Sequence, residues 1–256
     1  MSFSSLLSVE FKKIKRSKIL LILLAAAVFL WLPSILNADI NFTETVGGIS
    51  PENNFFIQGF LGMACFMFPA SMVVGTVLIN QTERSNKGIL KMLSLPVSTV
   101  KLCLAKYVVL LSLAAVEVIM STVMYFISSA IVSGMQSYNM MLSPLYVFKE
   151  AGLVYLAAIP MIAFFWALSI LIQTPIFSIG TGLASIVPSL LIMNTKIWYV
   201  YPMCYPFYII TSEYGRLAED MSTWNVDLFP LLPIAVIFTL LCLTVSCAAF
   251  GRAERK

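Results

Sequence analysis

The sequence has no histidine, and this absence removes several kinds of functional site. None of the 256 residues is a histidine, which excludes histidine-based catalytic triads and most protein zinc sites. The P-loop sequence Gly-x-x-x-x-Gly-Lys-Ser/Thr is also missing, so the chain does not bind ATP through a P-loop of its own. The nearest glycine-rich string, Gly180-Thr181-Gly182, lacks the lysine and lies in an apolar stretch. Small residues in such a stretch favour the close approach of two helices.

Cysteine is scarce, with five residues in the chain. Cys65, Cys103, Cys242 and Cys247 lie within or near apolar stretches, and Cys204 lies apart from them. Their spacing matches neither a disulfide framework nor a set of metal ligands. We therefore predict that the cysteines pack as small apolar side chains and that the chain holds no metal.

Charged residues make up only 11% of the chain, whereas 60% of the residues are hydrophobic. A soluble fold could not bury that much apolar surface. A helix needs about 20 residues to cross a hydrocarbon core of about 30 Å. Six apolar runs are long enough, at about residues 19–36, 55–79, 102–131, 147–172, 176–193 and 229–250. The breaks between them are too short to fold alone, so the sequence predicts an all-α integral membrane protein with six transmembrane helices and a single domain, residues 1–256.

The basic residues are concentrated in alternate breaks. Thirteen of the 16 lie before the first run, between the second and third runs, or after the sixth; they include Lys101 and Lys106, near the start of the third run. Short loops rich in Lys and Arg remain cytoplasmic, so both termini are predicted to be cytoplasmic. The acids of the opposite breaks form either a surface that attracts cations or ordinary solvated loop charge; they are Asp39, Glu44, Glu52, Glu150, Glu213, Glu219, Asp220 and Asp227.

The N-terminal segment precedes the first apolar run and is amphipathic. The run at 19–36 is longer than the apolar region of a usual signal peptide and no convincing cleavage site follows it, so we expect an uncleaved first span. Residues 4–18 are predicted to form an interfacial helix whose lysines face phospholipid headgroups. An equally acceptable interpretation is that these lysines only set the topology. The apolar side of this helix consists of Phe3, Leu6, Leu7, Phe11 and Ile14.

The break at residues 82–100 is basic and half amphipathic. Ser85 or Asn86 can cap a short helix that Pro96 ends, and Ser98 can cap the helix that follows. Such a helix could anchor a loop on the membrane surface or dock into a cytoplasmic partner. The string ERSNKGILKMLSLPVS, residues 83–98, followed by Lys106, closely resembles the signature that follows the second span of ABC-2 type permeases.

That resemblance implies a role for the break and a set of partners. In ABC-2 permeases this segment is the coupling helix, which receives the stroke of a separate cytoplasmic ATPase that carries ATP and magnesium. The resemblance further implies a second permease, identical or homologous, and no nucleic-acid partner. The residues expected to transmit the movement are Glu83, Arg84, Gly88, Ile89, Lys91, Met92, Leu93 and Pro96.

A second resemblance lies in the break at residues 194–227. The string WYVYPMCYPFY, residues 198–208, combines aromatic residues and prolines in a way that suits the headgroup boundary. With the chain length and the near absence of an outer domain, it resembles the permeases of lantibiotic self-protection transporters. This implies export of an antimicrobial peptide from the cell membrane of a Gram-positive bacterium, with Trp198, Tyr201 and Tyr205 as candidate cargo or interface residues.

Glu117 is the one acid placed in the middle of a predicted span. A carboxyl group in hydrocarbon costs a few kcal/mol, so it should face the protein interior and be either paired or protonated. One interpretation is that it binds a cationic peptide or fixes the interface between permeases. The other is a structural hydrogen bond to Ser112, Ser121 or a neighbouring helix.

Three other functions are compatible with parts of the sequence. A general ABC-2 exporter of another drug or lipid would share every feature except the aromatic string. An ion-driven secondary transporter could use Glu117 for a proton, but no internal repeat is visible. A membrane-embedded lipid transferase would need clustered acids or histidines at the bilayer face, and the predicted cytoplasmic breaks offer only Glu10, Glu83 and Glu254. We therefore expect a transport subunit and no enzyme.

Overall fold

The computed structural model describes residues 2–43, 48–84, 98–218 and 228–253, and within these ranges each regular element is a helix. A π-helical turn, Met63–Met67, joins α4 to α5, and two 3-10 turns, Trp198–Val200 and Pro202–Cys204, precede α10. In chain order the α-helices are α1 (Phe3–Arg16), α2 (Ile19–Leu36), α3 (Ala38–Thr43), α4 (Pro51–Gly62), α5 (Phe68–Arg84), α6 (Thr99–Gln136), α7 (Pro144–Leu171), α8 (Pro175–Ala184), α9 (Val187–Ile192), α10 (Tyr205–Leu217) and α11 (Leu228–Ala253).

The number of membrane spans predicted from the sequence is confirmed. Six helical stretches of the described chain are long and apolar enough to cross a bilayer: Ile19–Leu36, Pro51–Gln81, Thr99–Gln136, Pro144–Leu171, Pro175–Ile192 and Leu231–Phe250. The fifth, predicted as one run, consists of α8 and α9 with a turn between them. The 38 residues of α6 extend about 57 Å, so this helix tilts or projects beyond the hydrocarbon core.

The second, third and fourth spans form the centre of the bundle. In each of them more than half of the residues in the apolar stretch are buried, whereas in the first, fifth and sixth spans less than a quarter are buried. In α2 the buried residues recur every four positions, at Ile19, Leu23, Ala27 and Trp31, so one stripe faces the bundle. The rest of α2 exposes large apolar side chains, as expected of a helix surrounded by lipid.

Tyrosine hydroxyls bind α6 and α7 to each other. The Tyr107 hydroxyl on α6 donates to the carbonyl of Ile159 at 3.2 Å, and the Tyr155 hydroxyl on α7 donates to the carbonyl of Leu111 at 3.3 Å. Hydrocarbon offers no water to these groups, so each hydroxyl gains from a partner within the bundle. The two bonds run in opposite directions and hold the two longest helices side by side.

The two ends of the bundle differ in the elements they carry. At one end α1 packs against the start of α6, near the end of α5; we call this the basic end. At the other end Gln136 of α6 donates to Asp39 of α3, and Tyr138 donates to Glu52 at 2.6 Å. Helix α10 lies at that same end, where it contacts α4 and α7; we call it the α10 end.

A glycine on α8 permits close packing against α5, as the sequence predicted for its glycine-rich string. A Cβ added at Gly182 would lie 2.6 Å from Cγ1 of Val73 and 2.9 Å from its Cγ2, which is too close for any real contact. A Cβ added at Gly180 would meet no atom within 4 Å. Gly182 is therefore the residue of the string that lets these two helices meet.

We expect Gly182→Ala to destabilise the protein by about 1–3 kcal/mol, because the added methyl overpacks the α5–α8 contact. Gly180→Ala is the matched control, and it should leave stability unchanged or raise it by up to about 1 kcal/mol through helix propensity. Thermal unfolding of the purified protein in detergent measures both changes. Val73→Ala should rescue Gly182→Ala; equal melting temperatures for the two glycine variants would contradict the packing.

Candidate functional site

The candidate coupling residues lie where α5 ends and α6 begins. Glu83 and Arg84 are the last two residues of α5, so the helix of the second span extends into the motif rather than ending before residue 82 as predicted. Ser98 precedes α6 with an extended backbone, and its carbonyl accepts from the Leu102 amide at 3.1 Å. The remaining candidates, Gly88, Ile89, Lys91, Met92, Leu93 and Pro96, lie outside the described residues.

The predicted N-terminal helix forms, and an ion pair fastens it to α6. Glu10 is 3% exposed, and its Oε2 lies 3.2 Å from Nζ of Lys106, which is 1% exposed. Oε1 of Glu10 accepts from Lys13 on the same helix at 2.6 Å. Leu6 and Ile14, one turn to either side of Glu10, are also buried. One stripe of α1 is therefore packed against protein.

This arrangement gives Lys106 a partner that the sequence does not identify. The sequence places it among the lysines that flank a span, whereas its side chain is enclosed against Glu10. The pair therefore fixes α1 to the helix that follows the candidate coupling segment. Phe3 and Phe11 of α1 stay exposed beside this stripe, where a membrane surface would contact them.

Glu117 lies inside the bundle and contacts α5. Its side chain is 2% exposed, and the Ser71 hydroxyl lies 2.5 Å and 2.6 Å from its two carboxyl oxygens. Of the expected partners, the structure places a neighbouring helix, α5, against Glu117. The Ser112 hydroxyl donates instead to the carbonyl of Val108. Enclosed in this way, the carboxyl does not reach the surface where a second chain would bind.

The hydroxyl of Ser71 is shared between two acceptors. Besides the Glu117 oxygens, its Oγ lies 2.8 Å from the carbonyl of Phe68. A hydroxyl has one proton to donate. The set of bonds is complete when the Glu117 carboxyl is protonated: the carboxyl then donates to Oγ of Ser71, which donates to Phe68. A neutral carboxyl also avoids the cost of an ion in an apolar interior.

The contact between Ser71 and Glu117 lies one turn beyond the π-helical turn of the second span. In Met63–Met67 the backbone widens by one residue per turn, so the side chains that follow are rotated relative to a regular helix. Such turns occur frequently at functional sites. No local signal predicts this feature, because no proline or polar run marks residues 63–67.

The aromatic string forms a packed segment at the α10 end. Trp198 and Tyr208 are half-buried and stack with 3.6 Å between ring centroids. The Tyr201 hydroxyl donates to the carbonyl of Ser185, and the Tyr205 hydroxyl donates to that of Tyr199. Tyr205 is 1% exposed. Two of the three candidate aromatic residues thus hold the segment together, and Trp198 is the one whose ring stacks on a neighbouring ring.

The described acids at the α10 end have partners within the chain. Asp39 and Glu52 accept from Gln136 and Tyr138, as described above. Glu150 is 2% exposed and lies 3.1 Å from Nζ of Lys149. The hydrogen bond from Tyr138 to Glu52 raises the pKa of the Tyr138 hydroxyl. Glu44, Glu219, Asp220 and Asp227 lie outside the described residues.

Glu213 on α10 is the centre of a network that the sequence analysis missed. The Tyr146 hydroxyl on α7 donates to its Oε1 at 2.5 Å, and Nε of Arg216 donates to its Oε2 at 2.8 Å. Burial alone would raise the pKa of Glu213, but the bonds from Arg216 and Tyr146 lower it below the ordinary value of about 4.3. The ionised carboxylate therefore stabilises the fold at neutral pH, and this contribution is lost as the pH falls through the lowered pKa. The spacing of Glu213 and Arg216 suits a helix pair, but the contact with Tyr146 depends on the tertiary fold.

No cluster suited to a metal ion is present among the described residues. Nowhere in residues 2–43, 48–84, 98–218 and 228–253 do three or more histidine, cysteine, aspartate or glutamate side chains come together. The five cysteines are free thiols. The polar side chains described above form hydrogen bonds and ion pairs within and between helices.

We expect Ser71→Ala to cost about 1–3 kcal/mol of stability, because it leaves the buried Glu117 carboxyl without its donor or acceptor. Glu117→Gln should cost less, since the amide can donate to Oγ of Ser71. Thermal unfolding in detergent measures both, with Ser112→Ala as the control that removes a hydroxyl bonded within its own helix. In the double variant Ser71→Ala with Glu117→Leu the losses should not add; strictly additive losses would show that the two side chains do not interact.

One known protein family matches most of the chain. A family model described as "ABC-2 family transporter protein" matches residues 6–189, well over half of the chain. No curated protein and no solved structure matches the chain. The matched region runs from α1 into α9 and includes Glu10, Ser71, Lys106 and Glu117. With its six apolar spans, the chain therefore belongs to the ABC-2 family of transporter permeases.

Proposed function

We propose that this chain is the permease subunit of an ATP-driven ABC exporter that removes a lantibiotic-type antimicrobial peptide from the cell membrane of a Gram-positive bacterium. The observation that carries the exporter assignment is the family match over residues 6–189. It is supported by the string ERSNKGILKMLSLPVS, which joins the second span to the third in the way the family signature does. ATP hydrolysis belongs to a separate ATPase chain.

In this proposal the basic end faces the cytoplasm. Lys12, Lys15 and Lys18 are exposed there, and the positive charge of short loops favours the cytoplasmic side. Both termini then lie inside the cell, and the α10 end faces outward. The exposed Phe3 and Phe11 would enter the inner leaflet beside α1, with the lysines at the level of the headgroups.

The coupling segment would act on α5 and α6 together. Glu83 and Arg84 end α5, and α6 begins at Thr99, so a partner that pushes residues 85–97 displaces both helices. Ser71 and Glu117 hold these helices together deeper in the bundle. A second permease, identical or homologous, completes the transporter and would contact lipid-exposed faces of the bundle.

The aromatic string at the α10 end is the feature that supports a peptide cargo. Lantibiotics are amphipathic and often cationic, and the stacked rings of Trp198 and Tyr208 offer a surface for apolar side chains and cations. Glu117 is enclosed in this conformation, so its role in the proposal is to hold α5 and α6 rather than to bind cargo at the surface. Tyr201 and Tyr205 contribute by fixing the segment that presents Trp198.

One observation favours a second candidate, an ABC-2 exporter of another drug or a lipid. A cavity of about 210 Å³ lies between α6 and α7, and its lining is almost entirely apolar. Ala115, Ala151 and Gly152 form part of the lining, and the neighbouring Ile119 and Phe148 are exposed at the bundle surface. An apolar tail would fit such a cavity without any contact with the aromatic string.

The coupling role predicts that Gly88→Pro, or the pair Met92→Asp with Leu93→Asp, weakens co-purification of the ATPase while membrane insertion stays normal. Proline breaks a docking helix, and buried carboxylates would disrupt its apolar face. Pull-down of the tagged permease and ATP turnover of the complex measure the effect. Gly180→Ala, far from the segment in sequence, serves as the insertion control. Unchanged ATP turnover and unchanged protection would contradict this role.

Co-expression of the chain with its ATPase and partner permease in a sensitive Gram-positive host should raise resistance to one or a few lantibiotics. Trp198→Ala should lower that resistance more than it lowers the protein level, because the stacked pair is lost; Trp198→Phe should retain part of it. Tyr205→Phe removes a hydroxyl that holds the segment together and leaves Trp198 in place, so it is the control for the fold of the segment. Bacitracin and a fluorescent lipid are the control cargoes. Export of a control cargo without any lantibiotic resistance would identify a general ABC-2 exporter instead.

A further inference from the structure

The interface between α7 and α10 carries two buried acids, and each belongs to a separate pair of charges. On α10, Glu213 is 7% exposed and its partner Arg216 is three residues away on the same helix. On α7, Glu150 is 2% exposed and pairs with the adjacent Lys149. The side chains of both cations reach the surface, with exposed fractions of 55% for Arg216 and 63% for Lys149. Each helix is therefore neutral at this interface by itself.

The bond that crosses the interface joins a neutral group to an ion. The Tyr146 hydroxyl of α7 donates to Glu213 of α10 at 2.5 Å. If the two helices separate, Glu213 keeps Arg216 and Glu150 keeps Lys149, so neither helix is left with an uncompensated charge. The loss is one hydrogen bond and the apolar contact around it. Separation of two opposite charges would be far more costly.

At the basic end, the contact between two elements joins groups of a different kind. There the charges themselves lie on different elements, because Glu10 belongs to α1 and Lys106 to α6. Separating α1 from α6 would break the contact between Lys106, which is 1% exposed, and Glu10, which keeps Lys13 on its own helix. The link between elements thus joins two opposite charges at the basic end and a phenol to a charged carboxylate at the α10 end.

Helix α10 also covers the part of the bundle that leads to Glu117. It contacts α4, α7 and the π-helical turn Met63–Met67, and its buried side chains include Phe207 and Ile210. Ser71 follows that turn by four residues. Movement of α10 away from α7 would therefore expose the middle of the second span from the α10 end.

From this geometry we propose that α10 is the movable cover of the α10 end, and that the hydrogen bond between Tyr146 and Glu213 is the latch that keeps it closed. The inference rests on the proposed exporter function, since an exporter must open one end to release its cargo. The self-paired charges on α7 and α10 allow repeated opening without the cost of an unpaired buried ion. The hydrogen bond sets how often the cover opens in the absence of ATP.

The test uses Tyr146→Phe, which removes the latch hydroxyl and keeps the ring that packs 5.5 Å from Phe56. Ser212→Cys is the reporter, because Ser212 is 3% exposed and precedes Glu213 on α10. The full chain in lipid vesicles is exposed to a membrane-impermeant maleimide, and mass spectrometry identifies the labelled cysteine, since the native cysteines are retained. Tyr155→Phe is the matched control, because it removes a tyrosine hydroxyl from the same helix that bonds α6 and not α10.

We expect Tyr146→Phe to increase the labelling rate at residue 212 about ten-fold, in line with a hydrogen bond to a charged group. Tyr155→Phe should leave that rate unchanged. Equal rates in the parent and in Tyr146→Phe, or the same increase in both tyrosine variants, would overturn the latch. Both measurements are made without ATP or cargo, so they do not depend on the transported substance.

A second arm separates the latch from the proposed function. In the complex with the ATPase, ATP should increase labelling at residue 212 in the chain that retains Tyr146. If the tyrosine variants behave as expected but ATP has no effect, the latch stands and the exporter mechanism is wrong. If ATP increases labelling while Tyr146→Phe does not, the exporter mechanism stands and the latch is wrong.

Discussion

An apolar bundle can bury a polar side chain at low cost only where the chain itself completes the hydrogen bonds of that group. Among the described residues, the links of this kind between elements distant in sequence include Glu10 with Lys106, Ser71 with Glu117, Asn80 with Ser169, and Tyr146 with Glu213. Apolar packing gives these helices little preference for one neighbour over lipid, because lipid tails are as apolar as leucine side chains. The polar links therefore largely determine which helices stay together.

The link at the basic end and the link at the α10 end join different kinds of chemical groups. At the basic end the link joins two opposite charges on different helices, Glu10 and Lys106. At the α10 end it joins a phenol to a carboxylate that already has an arginine, and such a hydrogen bond contributes about 1.5–3 kcal/mol.

The membrane-spanning architecture could be predicted from the sequence because apolar length is a local property. The six runs and the amphipathic α1 each depend on residues near one another in the chain. The partners of the polar groups depend on the tertiary fold. Glu117 was expected to need a partner, but nothing local identifies Ser71, 46 residues earlier, as that partner. Nothing local pairs Lys106 with Glu10 either, because the carboxylate lies 96 residues away.

The candidate site shows the same division. The aromatic string was recognised by its composition, yet its internal bonds could not be foreseen, because hydroxyl donors of Tyr201 and Tyr205 reach carbonyls in other turns. As a result, the candidate cargo residues have two roles: Tyr201 and Tyr205 stabilise the segment through hydrogen bonds, and Trp198 stacks on Tyr208. A residue type that suits a ligand equally suits a backbone carbonyl, and only the fold decides between them.

The position of the Ser71–Glu117 link limits how movement can pass through the bundle. On the proposed function, force enters at residues 85–97, between the ends of α5 and α6, and the link holds these two helices together about 20 Å further along α5. The pair must then move as one body, so sliding has to occur at its outer contacts. The α5–α8 contact resists sliding, because Gly182 and Val73 interlock at close range. The α6–α7 contact resists it as well, through the two tyrosine bonds. On the proposed function, movement that enters at the basic end is therefore passed through α5, α6, α7 and α8, and α10 packs on α7 at the far end of this group.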